Sequence, residues 1–569
     1  MRARLARSVA EPLTLALLLA ATVALCALPL ALVARLGFAP EGAPSLAPLL
    51  RALESRAVTT ALWNSLESGL ISAAVATAAG LGLALLVGLT DVRGKGPLVF
   101  LILLPMMIPP HVTAIAWIQA LGPSSPPLQA LGLAPPIGST HPLYSREGVI
   151  ALLAAQHMPL AFLVLRAALR TLPREMSDAA RVCGAGPLTM LRRIAAPLLA
   201  PALIAAFALA FVSALGNFGI PALLGVPGRY TTLPVLMWQR LASFGPEALG
   251  DLAVIATLLG LVAVAAVTTQ MALARRARSA LIGPPQAALA LRLGRARPVA
   301  EAGLWVVVAA LLVMPLGALT ATALSPTYGV KLTSETLTFE HFREVLFAQS
   351  VTARAFANSG FAAGAASAAL AAAAVGLGYF LTRPAGLARR AAGGAATLAE
   401  IAYAVPGLVI SVAFILAFLK PLPILGVSLY GTIWIILLAY LAAFFAIALK
   451  PVGAAYAQLD PALDDAARVC GAGFGRRMRR IFLPLTAPAA ASGAILVFLT
   501  AYNEVTVSAL LWSRGTETIG TAIFNYEDGG YTTLAAAMAT LTVFATVALM
   551  LTLDLLGRRA PPGVVPWRD

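Results

Sequence analysis

Long apolar stretches without a single charge recur along this 569-residue chain. Residues 12–34, 252–274 and 485–503 are examples, and each approaches the roughly 20 residues that an α-helix needs to cross the hydrocarbon core of a bilayer. Only 11% of the residues are charged and 60% are hydrophobic, whereas a soluble domain carries about 25% charged residues. The sequence therefore predicts an all-α, polytopic membrane protein.

Twelve spans are predicted from these stretches. They cover residues 12–34, 62–90, 97–121, 148–169, 198–222, 250–274, 302–325, 356–382, 396–419, 428–449, 485–512 and 532–556. The first follows three arginines, but it is longer than the roughly 7 to 15 residues of a signal-peptide core, so we expect it to be retained. With a cytoplasmic N-terminus, 29 of the 40 Lys and Arg fall on inner segments, which predicts that both termini are cytoplasmic. The net charge of +16 then reflects topology, and no nucleic-acid partner is expected.

The second half of the chain repeats the first. "WNSLESGLISAAVATAAGLGLAL" from Trp63 corresponds to "ANSGFAAGAASAALAAAAVGLGY" from Ala357, and "IPPHVTAIAWI" from Ile108 corresponds to "VPGLVISVAFI" from Val405. The offsets are 294 and 297 residues. This pattern predicts two tandem repeats of six parallel-oriented spans, residues 1–274 and 299–569, joined by a cytoplasmic linker at 275–298.

One short polar stretch is repeated almost without change, at an offset of 287 residues. It reads "SDAARVCGAG" at 177–186 and "DDAARVCGAG" at 464–473. Ser177 and Asp464 are good N-cap residues and the alanines that follow favour helix. The glycines at positions 184 and 471 are typical of helix C-termini. Each copy therefore predicts a short helix, a turn and a second, basic helix, and the small alanine side chains would let the first helix lie close against a partner.

The two copies resemble the cytoplasmic EAA loop of ABC importer permeases. The residues at the family's spacing are Asp178, Ala179, Ala180, Gly184, Ile194 and Pro197 in the first EAA-like loop (177–197), and Asp465, Ala466, Ala467, Gly471, Ile481 and Pro484 in the second EAA-like loop (464–484). Both copies begin with Asp where the family has Glu, and Ala196 replaces the leucine that Leu483 retains. The resemblance implies the type I ABC importer transmembrane fold, with each loop seated in a cleft of an ATP-binding subunit.

No phosphate-binding loop of the form G-x-x-x-x-G-K-[ST] occurs in the sequence; "GKG" at 94–96 lacks the upstream glycine and the hydroxyl that would hold Mg²⁺. We therefore expect no enzymatic activity and no cofactor in this chain, with ATP and Mg²⁺ bound by a partner. Because one chain supplies both EAA-like loops, that ATPase partner can be a homodimer. The resemblance further implies an extracytoplasmic solute-binding protein and a bacterial inner-membrane location.

Within such permeases, the chain is most similar to fused double permeases of the ferric iron type. The supporting stretches are "GNFGIPALLG" at 216–225, "YAVPGLVISVAFILAF" at 403–418 and "YNEVTVSALLWSRGTETIGTAIFNYEDGG" at 502–530. Fused permeases for thiamine, 2-aminoethylphosphonate and polyamines are also similar over much of this pattern. The resemblance thus implies a ferric iron importer first and these three solutes as alternatives.

Candidate translocation residues follow each EAA-like loop. The offset of 287 maps Gly216, Asn217 and Phe218 onto Asn503, Glu504 and Val505. A charge at membrane depth costs about 2.5 kcal/mol or more unless it faces a cavity or a partner, so Glu504 is a candidate for contact with a cationic solute; a gate or a packing hydrogen bond is the alternative. The predicted path comprises Asn217, Tyr502, Asn503 and Glu504.

Two prolines and two histidines lie within predicted spans. Pro109 and Pro406 correspond between the halves and are predicted hinges. For His111 and His157, an interhelical hydrogen bond is the favoured interpretation, and no metal site is expected. The three cysteines, at positions 26, 183 and 470, give no pairing framework, so we expect free thiols.

Two other function classes remain open from the sequence. A secondary transporter of the major facilitator kind also has two parallel six-span halves, and "GLTDVRGKG" at 88–96 faintly resembles its inner-loop pattern, without the adjacent Asp-Arg and without a second copy. A channel or membrane enzyme would need a filter or a clustered catalytic set, and the four scattered histidines provide neither.

Overall fold

The computed structural model describes residues 2–39, 42–136, 138–170, 196–242, 248–276, 292–421 and 426–559, together with eight isolated positions between and beyond these ranges. Over that part of the chain the protein is helical and contains no β-strand longer than a single bridge. The helices of the first half are α1 (Ala10–Phe38), α2 (Ala47–Glu54), α3 (Arg56–Leu89), α4 (Lys95–Met107), α5 (Pro110–Leu121), α6 (Pro126–Ala130), α7 (Arg146–Leu169), α8 (Ala196–Leu215), α9 (Leu233–Ala242) and α10 (Ala248–Arg276). Those of the second half are α11 (Gly294–Ala323), α12 (Glu340–Arg343), α13 (Ser350–Leu381), α14 (Leu387–Ala404), α15 (Gly407–Phe418), α16 (Ile433–Ala457), α17 (Ala462–Val469), α18 (Phe474–Tyr502), α19 (Ile519–Asp528) and α20 (Thr532–Gly557).

Ten helices in the described residues are long and apolar enough to cross a membrane, and two bent pairs raise the number of spans to twelve. The all-helical membrane fold predicted from the sequence is confirmed. The third and ninth predicted spans are not straight, however. The chain bends by 103° between α4 and the segment Pro110–Ala130, and by 112° between α14 and α15. Two predicted spans also end earlier than expected, because α8 ends at Leu215 and α18 at Tyr502.

Each half presents its helices in the same order. The corresponding helices are α3 and α13, α7 and α16, α8 and α18, and α10 and α20. In each half a bent helix pair lies between the first and the second of these helices. Close approach of α3 to α7 depends on Gly80, where an added Cβ would lie 2.8 Å from the backbone nitrogen of Phe162. Small residues permit such backbone approach, which stabilises helix pairs when lipid supplies no hydrophobic driving force.

The first span of each half packs against the other half. α1 contacts α14 and α15, while α11 contacts α5. The thiol of Cys26 in α1 is buried and lies 4.0 Å from the carbonyl oxygen of Ala442 in α16. The two halves are therefore interlocked. Most of the predicted linker, residues 277–291, lies outside the described residues, so its boundaries stay a prediction.

Candidate coupling and translocation sites

The second EAA-like loop forms the short helix α17, as its sequence predicts. The predicted N-cap is wrong: the helix begins at Ala462 after Pro461, and Asp464 lies inside the first turn. Asp460 takes the capping role instead, since its Oδ1 accepts a hydrogen bond of 2.8 Å from the backbone N–H of Ala462. At the other end Gly471 has φ +74°, and the N–H of Ala472 donates to the carbonyl of Ala467. This is the Schellman geometry expected of a terminating glycine.

α17 offers an exposed surface on almost every side. Of its eight residues only Asp464 is buried, and Ala467 is half-buried. Val469, which follows the predicted Asp465, Ala466 and Ala467, is 88% exposed. Val469 thus adds an apolar side chain to the exposed surface of α17.

The first EAA-like loop falls largely outside the described residues, including Ser177, Asp178, Ala179 and Ala180. Two isolated positions within it match the second loop. Gly184 has φ +78°, and Val182 is 88% exposed, the same as Val469 at the offset of 287.

Asp464 is buried because it lies among arginines. Its carboxylate pairs with Arg477 at 2.6 Å, with Arg468 at 2.8 Å, and with Arg383. The hydroxyl of Tyr379 also donates to it at 3.3 Å. Burial by itself would raise the pKa of Asp464, but the three guanidinium groups outweigh that effect and hold the pKa below its usual value. The second EAA-like loop is thereby attached to the ends of α13 and α18.

The two predicted hinge prolines are sites of complete helix interruption. Pro109 lies between α4 and α5, and Pro406 immediately precedes α15. Interruption frees backbone carbonyls that must find other donors. In the first half the side-chain amide of Gln156 donates to the carbonyls of Pro105 and Ile108, at 3.4 and 3.3 Å. Whether these breaks move stays a prediction.

Asn217 and Glu504 cap equivalent turns in the two halves. Each follows the end of a span, and each accepts a hydrogen bond from the backbone N–H three residues later: Ile220 to Asn217 Oδ1 at 3.1 Å, and Val507 to Glu504 Oε1 at 2.6 Å. Glu504 Oε2 also accepts from the N–H of Ser508 at 3.1 Å. Glu504 thus caps a local turn, which is the packing alternative noted above, and this leaves its predicted contact with solute untested.

The residues just before these caps contact the opposite half. The amide of Asn503 donates to the carbonyl of Met107, at the break of the first half, at 3.3 Å. Its counterpart Gly216 lies against Pro406, where an added Cβ would be 3.3 Å from the proline ring. The predicted residue Tyr502 stacks on Phe498 of its own helix at 5.5 Å. The helix breaks of both halves therefore meet at one interface.

An aromatic cluster at this interface was not predicted. Phe218, Trp238 of α9 and Phe524 of α19 bring three rings together, with centroids 5.3 to 5.8 Å apart. Phe524 comes from the second half and the other two from the first. Aromatic residues in an apolar sequence carry no distinctive signal, so only the tertiary structure identifies this cluster.

A cleft of about 520 Å³ opens at the end of the bundle opposite α17, beside the turn between α19 and α20. Its lining includes His341, Glu344, Gln349, Tyr526 and Tyr531. None of these residues was predicted as functional, because none belongs to a repeated or charged motif. A volume of this size lies in the range of about 300 to 1,000 Å³ that is typical of small-molecule sites.

Two residues that line the cleft have a buried polar atom without a hydrogen-bond partner within the described part of the chain: His341 Nδ1 and the Tyr526 hydroxyl. Glu527 Oε2, in the residue after Tyr526, also lacks one. His341 Nε2 lies 3.0 Å from the carbonyl oxygen of Ser325, so this nitrogen carries the proton and Nδ1 offers a lone pair. Burial raises the pKa of Glu527 to about 7. Buried polar groups without partners are costly, and a polar ligand in the cleft would satisfy those of His341 and Tyr526.

The predicted minor candidates have ordinary roles or none. His157 donates from Nδ1 to the carbonyl of Leu153 at 2.8 Å; this bond lies within α7, whereas an interhelical one was predicted. His111 is fully buried, and neither ring nitrogen has a hydrogen-bond partner among the described residues. The described ranges contain no group of three His, Cys, Asp or Glu that could hold a metal ion.

Comparison with known proteins places two segments of the chain in one family. Residues 80–279 and 374–564 each match the family described as "Binding-protein-dependent transport system inner membrane component". A probable ABC transporter permease, y4fN of Sinorhizobium fredii, is 26% identical over 521 residues, which span 90% of this chain and 89% of the relative. A probable molybdenum ABC transporter permease of Haloferax volcanii is 32% identical over 36% of this chain and 73% of its own length. A putative 2-aminoethylphosphonate transport permease, PhnV of Salmonella paratyphi A, is 27% identical over 27% of this chain and 57% of its own length.

Proposed function

We propose, because this chain belongs to the family of binding-protein-dependent transport inner membrane components, that its two EAA-like loops receive two copies of one ATPase. The chain is the membrane permease subunit of an ABC importer, with two fused permease repeats and no ATPase of its own. This assignment replaces the secondary transporter, the channel and the membrane enzyme that the sequence had left open. An extracytoplasmic solute-binding protein would complete the complex on the opposite face.

The observation that supports ATPase docking is the exposed helix α17. Its alanines present a small surface, and Val469 projects an apolar side chain beside them. Val182 is equally exposed in the first loop, so two similar surfaces are available on one chain. A homodimeric ATPase has two identical clefts, and two similar loops suit them. We place both loops, and hence both termini, in the cytoplasm because of the excess of arginine and lysine on this side.

The native thiol of Cys470 provides a direct test. Cys470 is exposed at the end of α17, whereas Cys26 is buried. We expect a membrane-impermeant maleimide to leave Cys470 unlabelled in intact cells and to label it in inside-out vesicles. Addition of the partner ATPase should slow that labelling at least about tenfold, because docking covers the helix. In a Cys183→Ser background, maleimide labelling reports on the second EAA-like loop alone, and buried Cys26 serves as the unreactive control.

Labelling in intact cells would contradict the cytoplasmic placement of the loops. Labelling that the bound ATPase does not slow would contradict docking on α17.

For the solute we propose ferric iron first, with thiamine, 2-aminoethylphosphonate or polyamines as alternatives. Ferric iron, thiamine and polyamines are cations, whereas 2-aminoethylphosphonate is a zwitterion without net positive charge. The support is the cleft beside α19, where Glu344 supplies a carboxylate and Tyr526 and Tyr531 supply aromatic faces. Carboxylates and aromatic faces both attract cations.

Glu344→Gln tests this proposal, with Glu340→Gln as a matched control. Glu344 lines the cleft and accepts a hydrogen bond of 2.9 Å from Gln349, whereas Glu340 lies four residues earlier and pairs with Arg343 at 2.8 Å. We expect uptake to fall about fivefold in Glu344→Gln, which corresponds to about 1 kcal/mol, and to remain normal in the control. Uptake of ferric citrate and of 2-aminoethylphosphonate would be measured side by side. If Glu344→Gln and Glu340→Gln take up each solute at the same rate, the cleft is not part of the transport pathway.

A further inference from the structure

Glu11 connects the first half of the protein to the second EAA-like loop. It lies near the start of α1, the first span of the first half. Its Oε1 pairs with Arg383 at 2.9 Å and with Arg468 at 3.2 Å, and its Oε2 pairs with Arg477 at 2.7 Å. These are the same three arginines that surround Asp464. One acid from each half therefore shares one set of guanidinium groups.

The charge balance of this group makes Glu11 necessary. Arg477 is only 4% exposed, and a buried charge is stable only when it is paired and hydrogen-bonded. Arg477 donates from one terminal nitrogen to Asp464 and from the other to Glu11. Without Glu11, three arginines would share the single carboxylate of Asp464, and Arg477 would lose one of its two partners.

The first EAA-like loop has no equivalent set of residues. The offset of 287 places Ser177 opposite Asp464 and Met190 opposite Arg477, and the offset of 294 places Leu85 opposite Tyr379 and Leu89 opposite Arg383. All four are uncharged, and of the three arginines only Arg468 has a charged counterpart, Arg181.

A glutamate of the second half also contacts the first half, at the turn between α3 and α4. Near the start of α11, the first span of the second half, Glu301 pairs with Arg297 at 2.8 Å and accepts a hydrogen bond from the backbone N–H of Arg93 at 2.9 Å. Arg93 belongs to the turn between α3 and α4 of the first half. Each half thus sends a glutamate to the other, but among the described contacts only Glu11 reaches an EAA-like loop.

We propose that Glu11 is a positioning residue that holds the second EAA-like loop against the membrane helices. The proposal rests on the ATPase-docking function argued above. A displacement of α17 would be transmitted to α1, which packs against α14 and α15 beside the break at Pro406. Movement of the second EAA-like loop would thereby reach the helix break of the second half.

Glu11→Gln in the full chain tests this inference, with Glu301→Gln as the matched control. Hydrogen exchange of the backbone amides of residues 460–474 would be followed in detergent, first without and then with the bound ATPase. We expect Glu11→Gln to accelerate this exchange at least about fivefold, because two charge-assisted bonds to buried or half-buried arginines are weakened. Glu301→Gln should leave these amides unchanged, and Glu11→Asp, which keeps the charge, should restore most of the protection.

The functional readout is the amount of solute transported per ATP hydrolysed by the assembled complex. We expect this ratio to fall at least about threefold in Glu11→Gln while the ATPase still co-purifies, since docking is intact but the loop transmits less of its movement. Unchanged exchange at 460–474, or equal acceleration in Glu301→Gln, would overturn the inference and leave the docking proposal standing. Failure of the wild-type chain to bind an ATPase would instead contradict the proposed function, while the exchange measured without ATPase would still decide the role of Glu11.

Discussion

Replacing Gly184 and Gly471 together with tryptophan is expected to abolish uptake while the chain stays folded in the membrane. Both glycines have positive φ, +78° and +74°, and a side chain in that conformation costs about 1 to 2 kcal/mol. No atom lies within 4 Å of an added Cβ at either position, so the effect falls on the loop and its partner rather than on the membrane core. A reshaped C-terminus of α17 would no longer fit the ATPase cleft.

The measurements are uptake, co-purification of the ATPase and solute-stimulated ATP hydrolysis. Gly303→Trp is the control outside both EAA-like loops, because Gly303 in α11 has an open surrounding and does not have a positive φ. Uptake should fall at least about 100-fold in the double variant and less than about threefold in the control. Undiminished co-purification and hydrolysis in the double variant would show that the EAA-like loops do not couple ATP hydrolysis to transport.

Glu504→Gln is expected to preserve the assembled complex and to reduce uptake of a cationic solute by about tenfold or more. Glutamine keeps one acceptor oxygen for the N–H of Val507, and Asn217 shows that an amide suffices for this cap in the first half. The lost hydrogen bond to Ser508 costs about 1 to 3 kcal/mol, which a folded membrane chain can tolerate. The larger effect on uptake reflects removal of a carboxylate where two helix breaks meet.

The second variant, Asn217→Asp with Glu504→Gln, transfers the carboxylate to the equivalent cap of the first half. If both caps face one shared path, this transfer should recover part of the lost uptake. Normal uptake in an assembled Glu504→Gln complex would remove Glu504 from the path. Loss of the protein from the membrane would show that the carboxylate serves only the turn at residues 504–508.

Most of the membrane architecture could be predicted from the sequence because it depends on local composition. A run of uncharged apolar residues has one stable arrangement in a bilayer, a helix that satisfies its own backbone groups. The repeat and the C-terminal glycine of α17 were equally readable, since both depend on residues close in sequence. The N-cap at Asp464 was wrong because a capable capping residue was drawn into a pairing with three distant arginines.

The candidate sites divide in the same way. Sequence alone determined that this is a helical membrane chain with two repeats, two polar loops of the same type and no phosphate-binding loop. Only the tertiary structure decided that Asn217 and Glu504 are equivalent caps, that Phe524 meets Phe218, and that Glu11 reaches an arginine cluster more than 370 residues away. The physical reason is that hydropathy and turn signals act over a few residues, whereas charge pairing and ring packing depend on which distant helices meet.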